Sequence, residues 1–502
     1  MIDLSVSKSN LEQNIGKARE NNVILPTFAQ MCDPAKNVPE KIQDKLKGIG
    51  LWDIDPLNLF RITWKNERQM SGGLFGKANY IELPSALTGI DARIICMVGK
   101  YFPTGCHKVG ASFGCLVPRL VTGQFNSATQ KAVWPSTGNY CRGGAFNSKL
   151  LACDSIAILP EGMSRERFDW LRTIAGETIA TAGTESNVKE IFDKTHELRA
   201  TRDDVVIFNQ FDEMGNYLWH YKVTGNAISE AFQNATGCGI GGSGHNGNNN
   251  TDANFAGICL MSGSAGSLAA GDYLKQAYPG LKIAVGEALQ CPTMLNNGFG
   301  DHRIEGVGDK HIPWVHNVRN TDMAIAIDDN DAMALLRLFN EQAGKEFLTN
   351  EVGMKAEDVE SLALMGISGI ANMLCAIKFA KYYELTSKDV VATILTDSVE
   401  MYGSRLEELH ESEGEYSSRQ ANVDYMASLL GQKTDNLLDL NYDGRKRIHN
   451  LKYYTWVEQQ GRCAEELDDL WYAQDKTFEA VQKQAEQIDE LIKEFNEEVG
   501  LV

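Results

Sequence analysis

The sequence predicts an α/β fold with a mainly parallel sheet. Two observations carry this. From about residue 92 to 400, short apolar runs alternate with helical segments, as parallel strands joined by crossover helices require. The runs at 94–98, 131–134, 155–159, 205–209, 256–261 and 282–285 read as strands, and 390–395 reads as another after a helix at 369–383. Outside that range the pattern changes. Residues 1–70 read as helical and polar, broken by Pro26, Pro34, Pro39 and Pro56. After 404 glycine and proline nearly vanish and acidic residues dominate. There, 470–499 places Trp471, Phe478, Val481, Ile488, Leu491 and Phe495 on one helical stripe. It reads as a helix packed on its own subunit, with an interchain contact as the alternative.

The chain has 502 residues, room for about three domains. An apolar content of 43% suits a globular protein with a sizeable core. A net charge of −19 and a pI near 5.0 speak against nucleic-acid backbones and anionic membrane surfaces as partners. The eleven cysteines are scattered and include no Cys-x-x-Cys pair, which suits reduced, buried thiols in a cytoplasmic protein. The start, Met1-Ile-Asp-Leu-Ser5, shows no signal-peptide pattern, and the expectation is no membrane span. The nine histidines show no ligand spacing, so no metal site is expected.

The chemistry is carried by loops at the ends of the candidate strands. Lys108 follows the strand at 94–98 through a Pro-Thr-Gly turn and stands where a helix can begin. Desolvation and positive neighbours lower an amine pKa, so such a lysine can attack an aldehyde; a solvated surface lysine is the plainer reading. Pro135-Ser-Thr-Gly-Asn139-Tyr-Cys-Arg-Gly143 follows the next strand and offers donors to an anion, or caps a helix. In Met261-Ser-Gly-Ser-Ala-Gly-Ser267, glycines let the backbone approach a phosphate and serines add donors. Asn209-Gln210-Phe211 and Thr396-Asp397-Ser398 close two further strands. Gly237-Cys-Gly-Ile-Gly-Gly242 fits a dinucleotide pattern but follows a helix, not a strand, which argues against a nicotinamide site. The run to Asn250 reads as an inserted flexible loop, or a lid. A nucleotide-dependent enzyme using the glycine-rich loops is a separate alternative.

In order and spacing these segments, with His220-Tyr-Lys-Val-Thr-Gly225, Tyr278-Pro-Gly, His302-Arg-Ile-Glu-Gly-Val-Gly308 and Gly366-Ile-Ser-Gly369, resemble the tryptophan synthase β-like (fold type II) pyridoxal-phosphate enzymes over roughly 71–403. The closest resemblance is to cysteine synthase and cystathionine β-synthase. It implies two open, twisted, mainly parallel sheets flanked by helices, with helical N- and C-terminal extensions. The implied layout is an extension at 1–70, a large cofactor-binding domain at 71–102 and 221–403, a small mobile substrate domain at 103–220, and an acidic extension at 404–502. By position, Lys108 would bind pyridoxal 5'-phosphate covalently and then act as base and acid. Asn139 would bond the cofactor's 3′ oxygen. Gly263, Ser264, Ala265, Gly266 and Ser267 would hold its phosphate, and Ser398 would face the pyridine nitrogen, subject to where Asp397 points. Ser136, Thr137, Tyr140 and Gln210 would bind the substrate α-carboxylate.

The resemblance implies β-elimination or β-replacement on a small amino acid with a β-leaving group, by a cytoplasmic homodimer. A catalytically silent cofactor-binding scaffold or regulatory subunit is the alternative. Tyr140 stands where cysteine synthases usually have threonine, and Arg142-Gly143 looks like an ammonia-lyase loop. Thr104-Gly-Cys-His-Lys108 looks like tryptophan synthase β chains, but the acidic loop residue those chains use for indole is absent.

Overall fold

A computed structural model describes residues 1–68, 73–136, 138–184, 187–238, 253–308 and 310–501. Thr137 and most of the glycine-asparagine run after Cys238 lie outside the described residues. The strands are β1 (Tyr80–Leu83), β2 (Arg93–Val98), β3 (Lys131–Pro135), β4 (Asp154–Pro160), β5 (Glu177–Thr181), β6 (Val205–Ile207), β7 (Asn254–Met261), β8 (Lys282–Ala288), β9 (Met323–Ile327), β10 (Asp389–Leu395) and β11 (Leu437–Asp439). They form two sheets. One is seven-stranded in the order β1-β2-β10-β7-β8-β9-β11; the other is four-stranded in the order β5-β4-β3-β6. The small sheet is parallel throughout. The large sheet is parallel except at its two edges, where β1 and β11 run antiparallel to their neighbours.

Both faces of the large sheet are covered, as parallel strands demand. Alternation along β2 sends Ile94, Cys96 and Val98 to one face and Ile95 and Met97 to the other. The first face packs on the helix Ile367–Tyr382 through Ile370, Leu374 and Ile377. The second shares one core with the inner face of the small sheet, including Ala132, Trp134 and Leu159. The outer face of the small sheet has its own core of Val133, Ile156, Ile158, Ile191, Leu198 and Ile207.

Three helices in that shared core touch almost backbone to backbone. A Cβ on Gly143 would come within 2.7 Å of Val109 Cα. That contact joins the helix Asn139–Leu150 to the helix Lys108–Thr122. A Cβ on Gly114 would strike the carbonyl of Gly215, which joins the same helix to Met214–Trp219.

The structure corrects several sequence expectations. Strands β1, β5, β9 and β11 were not legible. The strand expected at 205–209 stops at Ile207, because Phe208 and Asn209 turn toward the site. The stripe at 470–499 is two helices, Ala464–Tyr472 and Phe478–Val499, because Ala473–Thr477 form a turn. The second of these packs within its own chain. Asp489 accepts the N–H groups of Phe28 and Ala29 at 2.6 and 3.0 Å, and Asn496 pairs with both backbone groups of Leu25 at 2.9 and 2.8 Å. The segment after 404 also reaches the site's surroundings. Lys452 Nζ donates to the carbonyls of Trp314 and His316, and Trp456 Nε1 to that of Ile312. No single helix among the described residues is long and apolar enough to cross a membrane.

Candidate active site

The chain leaves β2 through the turn Pro103–Gly105, where Thr104 holds a left-handed φ of 67° and Gly105 one of 68°. A buried non-glycine residue in that region stores strain at a tight turn. The turn delivers Lys108 as the first residue of the helix Lys108–Thr122. Its Nζ donates to Ser264 Oγ at 3.0 Å and reaches Gln210 Oε1 at 3.5 Å. Ser264 Oγ also accepts from Asn216 Nδ2 at 3.1 Å, and Gln210 Nε2 donates to Ser136 Oγ at 3.3 Å. Lys108, the loop after β7 and the loop after β3 therefore share one polar chain drawn from both sheets.

Lys108, Ser136, Gln210 and Ser264 line a narrow cavity together with His107, Asn139, Tyr140, Gly263, Ala265, Ser267, Gly306, Ser368, Asn372 and Thr396. Lys108 is the only charged side chain among the lining residues, since burial and the adjacent amine hold His107 well below the usual histidine range. His107 stacks on Trp64 at 5.4 Å and meets His220 edge-on at 5.1 Å.

The loop after β7 is shaped to accept a compact anion. A Cβ at Gly263 would strike the Gly306 carbonyl, and one at Gly266 would strike the Asn216 side chain. Ala265 is left-handed at φ 59°. None of the backbone N–H groups of 263–267 donates to another described residue. A short helical turn and the helix Ala269–Ala277 follow directly. The donor set fits pyridoxal phosphate: an anion cradle at one end, an amine in the middle, and beside it a partly buried asparagine that spends one Nδ2–H on Asp397 and keeps the other.

The remaining expected residues divide. Asn139 lines the cavity, while its Nδ2 donates to Asp397 Oδ2 at 2.6 Å. Asp397 is fully buried and its carboxylate turns to Asn139, Tyr402 and Arg167; burial raises its pKa against the pull of Arg167. Ser398 is buried beside it but outside the lining, which at this strand end is Thr396. Gly266 also lies outside the lining. Tyr140 reaches the cavity, but its hydroxyl is buried near Cys115, and burial raises its pKa well above the usual value. Burial pushes both Cys106 and Cys141 up to about 12, which leaves them inert. Arg142 does not line the cavity; it is clamped between Trp52 and Trp170 at 5.5 and 4.8 Å.

Sequence reasoning missed Asn216, Ser368, Asn372 and Thr396. The motifs Gly366-Ile-Ser-Gly369 and Thr396-Asp-Ser398 held two of them, but with no sign of which side chain faces inward. Asn372 bridges the Met261 N–H and the Ile394 carbonyl at 2.6 Å each, tying β7 to β10 beneath the cavity. A larger open cleft of about 870 Å³ lies away from this site, between the helices Ala269–Ala277 and Phe478–Val499. Its buried Asp272 is already satisfied by Tyr217, Asn317 and Asn320.

No protein-family model matches the chain. It is 28% identical over 273 residues to a cysteine synthase of Staphylococcus aureus, covering 54% of this chain and 74% of that one. It is 24% identical over 330 residues to the cystathionine β-synthase of Saccharomyces cerevisiae, covering 64% and 59%. Among solved structures, a hydrogen sulfide-producing enzyme of Fusobacterium nucleatum superposes with a TM-score of 0.54 at 21% identity, over 72% of this chain and 95% of that one. This is the fold type II architecture. Cysteine synthases and cystathionine β-synthases use pyridoxal phosphate. In fold type II terms, the large sheet with its β7 loop and the small sheet with its β3 loop close on either side of Lys108.

Proposed function

We propose that this protein is a pyridoxal-phosphate enzyme that eliminates or replaces the β-substituent of a small amino acid. The observation that carries the reading is Lys108: an amine at a helix start, bonded to Ser264 of the glycine-serine loop, inside a fold type II frame. When bound, the cofactor supplies an electron sink for the bonds at the substrate's α-carbon. The chain's own groups do the rest. Residues 263–267 anchor the phosphate through backbone N–H groups and serine hydroxyls. Ser136, Thr137 and Gln210 hold the substrate carboxylate, and they do so without a cation. Lys108 removes the α-proton and returns a proton, held ready by Ser264 and Gln210.

The family position at the ring nitrogen is Ser398, but the residue that lines the wall at this strand end is Thr396. Both are neutral, and Asp397 is engaged elsewhere. A neutral hydroxyl does not enforce a protonated ring, and the resulting weaker sink favours expulsion of a β-leaving group. The relatives named cysteine synthase and cystathionine β-synthase support this chemistry, and a homodimer and a cytoplasmic location are expected by the same likeness.

The test is to add pyridoxal phosphate to wild type and Lys108→Ala and record visible absorbance, then release of pyruvate or of a replacement product from β-substituted alanines. Wild type should show a lysine-dependent band. Lys108→Ala should lose it, with turnover falling at least about a thousandfold. An unchanged band in the variant refutes the proposal.

A further inference from the structure

Behind the cavity lies a buried charged network that the proposed chemistry does not use. Asp397, at the end of β10, gathers three donors on one oxygen. Asn139 Nδ2 is at 2.6 Å, the Tyr402 hydroxyl at 2.9 Å and Arg167 Nη2 at 3.6 Å. Its other oxygen is pressed against Gly366, where a Cβ would collide with it. Arg167 also pairs with Glu305, which accepts from Arg405 Nε at 2.6 Å. Arg167 and Asp397 are almost wholly shielded from water, at 1% and 0% exposure.

The chain positions make this arrangement informative. Asn139 and Arg167 belong to helices around the small sheet, while Asp397 and Tyr402 follow β10 of the large sheet. The carboxylate is therefore the joint between the two halves. A carboxylate flanked by an arginine only accepts, so it takes the NH2 edge of Asn139 and fixes which way that amide faces. The O and N ends of an asparagine are otherwise nearly equivalent in shape. The second Nδ2–H of Asn139 has no acceptor among the described residues.

We infer that Asp397 is a positioning residue: it orients the Asn139 amide as a donor toward the cofactor's 3′ oxygen, and does so only while the two sheets are closed on each other. The inference rests on the pyridoxal-phosphate reading above. Without Asp397 the amide can flip and present its carbonyl to the same oxygen.

The experiment is a double-mutant cycle on the full chain, read by equilibrium binding of pyridoxal phosphate to apoprotein and by the position of the visible band. Asp397→Asn should weaken cofactor binding about tenfold and shift the band, the scale of one hydrogen bond to a charged group. Tyr402→Phe, which keeps every buried charge, should weaken it about threefold. In an Asn139→Ala background both effects should shrink below about twofold, because the group they act through is gone. Effects that persist undiminished in that background overturn the inference and make Asp397 merely structural. Should Asp397→Asn fail to fold, the Tyr402→Phe cycle decides alone. A wild type that forms no lysine-dependent band removes the cofactor reading and this inference with it. A wild type that forms the band with an additive cycle removes the inference only.

Discussion

The front and back of the Asn139 side chain face opposite kinds of environment. In front, the cavity wall is neutral apart from Lys108: hydroxyls of Ser136, Ser264, Ser267, Ser368 and Thr396, and amides of Gln210 and Asn372. Behind, Asp397, Arg167 and Glu305 form a buried chain of charges that ends on the partly exposed Arg405. The contrast separates two tasks. A neutral wall lets one amine set the local field, so the charge that develops during the reaction is not pinned by a neighbour. Buried charges are costly to hold but directional, which suits a joint between sheets that must close in one register.

The contrast breaks most visibly at Arg167. Replacing it with methionine removes the ion-pair partner of Asp397 and leaves Glu305 with Arg405 alone. Denaturant unfolding should show a loss of about 3–5 kcal/mol, the usual consequence of removing one partner of a buried pair. A loss below about 1 kcal/mol would mean that water or a neighbouring cation already serves that carboxylate pair.

Glu287 sharpens the comparison, because it is a buried carboxylate with no ion-pair partner among the described residues. It accepts the N–H groups of Met294 and Leu295 at 2.8 Å each, yet burial raises its carboxyl from 4.5 to about 7. A group with a higher pKa folded than unfolded binds protons more tightly in the folded state. Its contribution is therefore full below its unfolded value and is lost as pH rises through about 7. Relative to Glu287→Gln, wild type should lose up to about 3 kcal/mol between roughly pH 4.5 and pH 8, seen as converging melting curves across a pH series. A constant difference across that range contradicts the assignment.

The smallest effect belongs to Arg165 and Glu407, which meet at 3.2 Å on the surface with side chains 68% and 69% exposed. Glu407→Ala should change stability by less than about 0.5 kcal/mol and become invisible at high salt. A change as large as that of Arg167→Met would erase the distinction between the two classes of pair.

The same division explains what the sequence disclosed. Buried central strands such as β2, β7 and β10 carry runs of apolar residues that need no partner to be recognised. Edge strands do not: β5 leaves Glu177 and Ala180 exposed, and β11 is three residues with two exposed. β9 was hidden differently, because Met-Ala-Ile-Ala-Ile leads directly into the Asp329–Asn340 helix and reads as part of it. In the site, Lys108, Asn139 and the 263–267 loop were legible because each is a local strand-to-helix turn. Arg167, Glu305 and Asp397 were not, because their meeting depends on two sheets closing across 138 or more residues of chain. Asp397 was visible as a neighbour of Ser398, but its direction is a tertiary fact.

The close helix crossings at Gly114 and Gly143 have a consequence for how this protein can diversify. The spacing between the Lys108 amine and the Asn139 amide is inherited from main chain lying against main chain, not from the side chains that happen to fill the gap. Residues on the cavity wall, Tyr140 among them, can drift without disturbing that spacing. New substrates are thus open to the chain through changes in the wall, whereas enlarging either glycine would move the chemistry itself.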